Sequence, residues 1–273
     1  MEIIQVKNLT KSFKGGVKAV NGVSFSVKEG DFFAFLGPNG AGKTTVMRMM
    51  ATLTRPTSGN IQINGYDVKK NPDGVRRSIG FAMQAVGLDD LASAWENLKL
   101  MGGLYGMSRK ETQKRAEELL KMFKLEKVAD RYVAQYSGGM RRRLDVAVAL
   151  MHKTRGLFFD HPPERLDPAG RRVIWEYLNK LNKEGVTIFL TTHYMEEADF
   201  LAHNLAIINK GKIVVKGTPT ELKKCVDVAK IKLKTQEILP TLEDVFLKYA
   251  GESFRDEELN KNADPYITSR NKA

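Results

Sequence analysis

The segment Phe32-Phe33-Ala34-Phe35-Leu36-Gly37-Pro38-Asn39-Gly40-Ala41-Gly42-Lys43-Thr44-Thr45 decides the fold. Its first five residues are apolar and read as a buried parallel strand. From Gly37 to Thr44 the residues satisfy G-x-x-x-x-G-K-[ST], and a helical pattern follows, the context in which that motif forms a phosphate cradle. Glycines let backbone N–H groups turn inward onto phosphates, and the following helix adds the positive end of its dipole. In such a loop Lys43 reaches the outer phosphates and the Thr44 hydroxyl is placed to ligate Mg2+.

Three further apolar runs stop, like the first, at a polar residue or a glycine: Ile79 to Met83, Leu157 to Phe159 and Val186 to Leu190. Ligands of open α/β sheets gather outside the carboxyl ends of the strands. That places Gln84, Asp160 and the Thr191-Thr192-His193 step beside the glycine-rich loop as candidate site residues. Asp160 ends an apolar strand, as does the acid that holds Mg2+ through its water shell in P-loop proteins. Asp167-Pro168 reads as an N-cap with proline at the first helical position, and Val173, Ile174, Tyr177, Leu178 and Leu181 follow at helical spacing.

From Gly87 to about Lys153 no strand run occurs and helical patterns predominate, which predicts an inserted helical subdomain. Ser108 to Glu111 has the capping-box form, backed by an apolar stripe of Ala116, Leu119, Leu120 and Phe123. The first 30 residues alternate apolar and polar about a Gly15-Gly16 break, and Leu205 to Val215 reads as a hairpin. Both suggest an antiparallel sheet flanking the parallel one. Arg141-Arg142-Arg143 reads as a solvated helix face. After Gly251 the chain is polar and aperiodic, as mobile tails are.

With 273 residues, 42% hydrophobic and 28% charged, the chain is long enough for a sizeable core. No apolar run approaches the roughly 20 residues that span a bilayer, and the first residues read as a strand rather than a signal segment. Cys225 is the only cysteine, which excludes an intramolecular disulfide and fits reducing surroundings. The net charge of +12 favours an anionic partner without choosing among nucleotide, nucleic acid and membrane surface. No zinc-finger spacing or aromatic ribonucleoprotein motif accompanies it, so no specific nucleic acid is expected.

Over roughly residues 1 to 220 the sequence resembles the ABC ATPase family. Tyr136-Ser137-Gly138-Gly139-Met140 is similar to the family signature, usually Leu-Ser-Gly-Gly-Gln. Gln84 resembles the Q-loop glutamine, Leu166-Asp167 the D-loop, His193 the switch histidine and Phe13 the aromatic that stacks on adenine. Ala51 to Gly59, the Arg141 to Leu144 run and Thr241 to Phe246 resemble drug-resistance-type exporter ATPases. The expected fold class is α/β: a P-loop NTPase core with a mixed, mainly parallel sheet, a flanking antiparallel β subdomain and the helical insertion. The expected domains are an ATP-binding domain at 1–220, a short accessory segment at 221–250 and a tail at 251–273.

The resemblance implies ATP and Mg2+ as cofactors, with Thr44, Gln84 and Asp160 on the metal side. It implies that Gly37, Pro38, Asn39, Gly40, Ala41, Gly42, Lys43, Thr44, Thr45, Phe13, Ser137, Gly138, Gly139 and Asp167 hold nucleotide, and that Gln84, Asp160, His161 and His193 serve catalysis. A helix beginning near Ser137 offers free N–H groups to an anion. Because that helix lies on the helical subdomain, a second subunit must supply the phosphates, and the resemblance implies two ATPs sandwiched head to tail between two copies. It also implies a separately encoded membrane permease and a cytoplasmic chain peripheral on the inner face of the membrane.

One departure matters. Where the family reads Asp-Glu-Pro-Thr-x-Gly-Leu-Asp, this chain reads Asp160-His161-Pro162-Pro163-Glu164-Arg165-Leu166-Asp167, so His161 occupies the general-base position. Losing a positioned base typically slows a reaction about 100- to 10,000-fold, while binding need not suffer. Two other readings stand beside the transport subunit: a soluble ABC-type ATPase acting on nucleic acid or ribosomes, and a nucleotide-dependent regulator that does not hydrolyse.

Overall fold

The structure is a computed structural model that describes residues 1–82, 87–152, 154–160, 168–225 and 241–249. The elements run β1 (Glu2–Ser12), β2 (Lys18–Lys28), β3 (Phe32–Leu36), α1 (Lys43–Met50), β4 (Ser58–Ile63), β5 (Tyr66–Asp67), α2 (Pro72–Ser78) and β6 (Ile79–Ala82). Then come α3 (Ala94–Leu104), α4 (Arg109–Met122), α5 (Gly138–Ala149), β7 (Gly156–Asp160), α6 (Pro168–Lys183) and β8 (Thr187–Thr192). The last are α7 (Met195–Leu201), β9 (Asn204–Asn209), β10 (Lys212–Gly217) and α8 (Pro219–Lys224), and residues 242–249 are helical. No helix among the described residues is long and apolar enough to cross a membrane.

Two sheets organise the chain. The larger has the order β10-β9-β3-β8-β7-β6, parallel except at β9–β10, and the smaller is antiparallel with the order β2-β1-β4-β5. Strand β3 is fully buried, and its alternation divides the core. Phe33 and Phe35 turn toward the small sheet and α1, packing with Val6, Phe25, Met47 and Phe189, whereas Phe32 joins the helical side with Leu119, Phe123 and Phe159. The rings of Phe25, Phe33 and Phe189 stack, with Phe25 and Phe33 centroids 5.6 Å apart. Register sets Leu36 opposite Thr192 and Asp160 opposite Thr191. The carboxyl ends of β3, β8 and β7 therefore emerge side by side.

The helices α3, α4 and α5 fall where the strand pattern lapses. Ser93 and Ser108 cap α3 and α4 with reciprocal bonds to Glu96 and Glu111, and the predicted stripe of Ala116, Leu119, Leu120 and Phe123 is core.

Three expectations need correction. The 204–217 hairpin does not belong to the antiparallel sheet: β9 runs parallel to β3 and extends the large sheet, because its Leu205 to Ile208 run is buried on both faces. The partner that β1 takes instead is β4, a polar-looking strand through Ser58 to Ile63. Strand β8 runs two residues past Leu190, so Thr191 and Thr192 are strand residues and fully buried. Third, the arginine run is not a uniformly solvated face, since Arg142 is 1% exposed. Residues 226–240 of the expected accessory segment and the tail after Gly251 lie outside the described residues.

Candidate functional site

The loop from Gly37 to Gly42 joins β3 to α1 and is fixed by backbone bonds on both sides. Gly37 N–H donates to Thr192 O at 3.2 Å, and the Ala41 carbonyl accepts from Gly211 N–H at 3.0 Å. Gly42 has φ +104°, a left-handed conformation that favours glycine, and a Cβ there would stand 2.4 Å from Ala19 O. Gly211, in the β9–β10 turn, meets the same carbonyl, at 2.8 Å from a built Cβ. Lys43 is 3% exposed, and its Nζ donates to Gly37 O at 2.7 Å and Pro38 O at 2.9 Å. The ammonium thus lies within the loop, held by two of its carbonyls.

Asp160 is 3% exposed at the end of β7. Its Oδ1 accepts from Thr44 Oγ1 at 3.2 Å and from Thr191 Oγ1 at 2.5 Å. A threonine hydroxyl and a carboxylate side by side form a hard oxygen donor set, which fits Mg2+ beside phosphate. Three elements, α1, β7 and β8, converge on one carboxylate oxygen. Thr191 was legible only as part of a strand-end step; its hold on Asp160 is a matter of register.

Behind Asp160 lies a buried ionic group that sequence reading missed. Arg142 in α5 pairs with Asp145 at 2.6 Å, stands over the Phe159 ring and donates to the Asp160 carbonyl at 3.5 Å. Burial pushes the Asp145 carboxyl up to about 6, against Arg142, whose charge lowers it. Glu197 in α7 is fully buried and accepts from Trp175 Nε1 at 2.8 Å. Burial pushes its carboxyl up to about 7, opposed by hydrogen bonding from Thr192 and Trp175 and by the charges of Arg142 and Arg171. The available signal was spacing: Glu197 and the buried Leu201 lie four residues apart on one helical face.

The other predicted residues divide into those the structure places and those it does not. Ser137 caps α5, accepting from Met140 N–H at 3.3 Å, and Ser137 and Gly138 are exposed. That helix start can accept an anion from outside the chain. His193 follows β8 and its imidazole lies 4.0 Å, centroid to centroid, from the Tyr194 ring. Phe13 is 47% exposed beyond β1, with Lys11 Nζ 5.1 Å from its ring centroid. Gln84, His161 and Asp167 lie outside the described residues.

A family model described as ABC transporter matches residues 20–164. The doxorubicin resistance ATP-binding protein DrrA of Mycobacterium tuberculosis (strain ATCC 25618 / H37Rv) is 45% identical over 221 residues, 81% of this chain and 67% of that protein. The linearmycin resistance ATP-binding protein LnrL of Bacillus subtilis (strain 168) is 40% identical over 220 residues, 81% of this chain and 70% of that protein. The chain spans about two thirds of the length of these relatives. A dimeric ATP-binding cassette solved in a post-hydrolysis state with ADP and Pi superposes with a TM-score of 0.72 at 32% identity, covering 79% of this chain and 98% of that one. The phosphate-loop geometry, the family match and the relatives agree, and the chain belongs to the ABC transporter family as an ATP-binding cassette.

Proposed function

We propose that this chain binds Mg-ATP in the Gly37 to Thr45 loop, pairs head to tail with a second copy around two nucleotides, and drives a separately encoded membrane permease that exports its cargo. The observation that carries this reading is the meeting of Thr44 and Thr191 on Asp160 beside a loop that encloses the Lys43 ammonium. Lys43 and the loop N–H groups hold phosphates, Thr44, Asp160 and Gln84 serve the metal, and Phe13 takes the base. Ser137, Gly138 and Gly139 face the partner's nucleotide, with Asp167 at the same interface. Export is supported by the names of the relatives, which are resistance proteins for doxorubicin and linearmycin. The chain acts at the inner face of the membrane. The nucleotide-binding domain occupies residues 1–220, its helical part 87–153, with an accessory segment at 221–250 and a tail after it. Hydrolysis is slow, because His161 stands at the base position while His193 is retained.

Dimerisation tests the sandwich directly. In the presence of Mg-ATP the wild-type chain is expected to double its mass by light scattering, and slow hydrolysis prolongs that state. Gly138→Asp puts a negative charge at an exposed helix start with open space around it, so folding tolerates it and the anion does not. An equal ATP-induced dimer in both proteins refutes the arrangement.

A further inference from the structure

Two contacts tie α6 to the segment that carries His193. Arg171, in the first turn of α6, holds its guanidinium 5.2 Å from the centroid of the Tyr194 ring. That ring in turn lies against the His193 imidazole, centroids 4.0 Å apart and planes inclined at 37°. One turn further along α6, Trp175 Nε1 donates to Glu197 Oε1 at 2.8 Å. Residues 171 and 175 share one helical face, so a single strip of α6 grips α7 and the residues leading into it. His193 itself emerges from β8 one residue after Thr192, the residue opposite Leu36 at the mouth of the phosphate loop.

We infer that Arg171 and Tyr194 are positioning residues that hold the His193 imidazole toward the terminal phosphate of bound ATP. An imidazole on a free torsion samples a broad, roughly two-fold well. A flat ring packed against it and fixed from a second helix by a cation confines that torsion before nucleotide arrives. Aromatic stacking and cation–π contacts are each strong enough to do this at a half-buried site. This inference rests on the proposed nucleotide site.

The test measures ATP and ADP affinities separately, by titration calorimetry on the full chain with Mg2+, because only ATP has the phosphate that His193 is held to meet. Tyr194→Leu is expected to raise the Kd for ATP about tenfold while leaving that for ADP within about twofold, the scale of a lost aromatic contact. Tyr194→Phe keeps the ring and is expected to keep the wild-type ratio. Arg171→Gln is expected to weaken ATP about threefold, with Arg171→Lys restoring it. A merely structural role predicts equal losses for ATP and ADP, and that result overturns the inference, as does an unchanged ratio in Tyr194→Leu. Lys43→Ala is the control: if it binds nucleotide like wild type, the site itself is misplaced and the inference falls with it. If the control loses affinity while Tyr194→Leu matches wild type, only the brace is wrong.

Discussion

Arg142 stands 4.2 Å from the centroid of the Phe159 ring, so the helix that opens at Ser137 is pinned to the strand that ends in Asp160. In the proposed head-to-tail dimer, this contact links the end each subunit offers to its partner's nucleotide with the end that serves its own. Arg142→Met leaves Asp145 buried without its cation. We expect a loss of about 3–5 kcal/mol, the range for breaking a buried pair from one side, read as a lower urea midpoint at unchanged slope. Arg142→Met combined with Asp145→Leu is expected to recover most of that loss. Equal destabilisation of the single and double variants contradicts the pairing.

Glu197 gives a pH-dependent stability with a definite sign. Burial raises its carboxyl from 4.5 to about 7, so the native chain keeps a proton that the unfolded chain has lost over that interval. Stability therefore falls as pH rises from about 4.5 to about 7, by an amount on the order of 3 kcal/mol from this group. Glu197→Gln retains an acceptor for Trp175 and removes the titration. Its melting temperature is expected to match wild type at pH 5 and to exceed it by several degrees at pH 8. A difference that stays constant between those pH values refutes the assignment.

Lys43 and Thr44 are expected to separate phosphate from metal binding. Lys43→Ala should weaken a fluorescent ATP analogue at least about tenfold, since an ionic hydrogen bond to phosphate contributes roughly 1.5–3 kcal/mol. Thr44→Val should weaken binding in Mg2+ and change little in its absence. If Thr44→Val has the same effect with and without Mg2+, the Thr44 and Asp160 pair is not the metal site.

The proposed slow hydrolysis is attributed to His161, and that attribution can be measured. His161→Glu is expected to raise ATP hydrolysis by at least about tenfold, equivalent to about 1.4 kcal/mol of barrier, with ATP affinity almost unchanged. Because Pro163 and Arg165 also depart from the family pattern, a triple variant adding Pro163→Thr and Arg165→Gly is the companion measurement. Should neither exceed wild type, base loss is not the limitation.

What was legible in the sequence was local. The phosphate loop announces itself because Gly37 to Thr44 must satisfy spacing, backbone freedom and charge within eight residues. Asp160 was legible as a strand end, and Ser93, like Ser108, carries its capping partner three residues on. What escaped was set by pairing across distance. No local pattern distinguishes a hairpin that extends the parallel sheet from one that joins an antiparallel sheet, nor reveals that β1 would choose β4. Among three consecutive arginines, the choice of Arg142 for the interior follows from Phe159, which lies 17 positions away in the sequence. Glu197 was hidden for the same reason: its donor, Trp175, comes from another helix.

Gly42 and Gly211 both close on the carbonyl of Ala19, in the strand that follows the Phe13 turn. Backbone against backbone leaves no room for either piece to slide. The phosphate loop and the strand leading back to the region proposed to receive the base are then one solid part, and the spacing between them is set by the backbone alone. A side chain at position 211, outside the loop itself, would press on the same carbonyl and change that spacing from a distance.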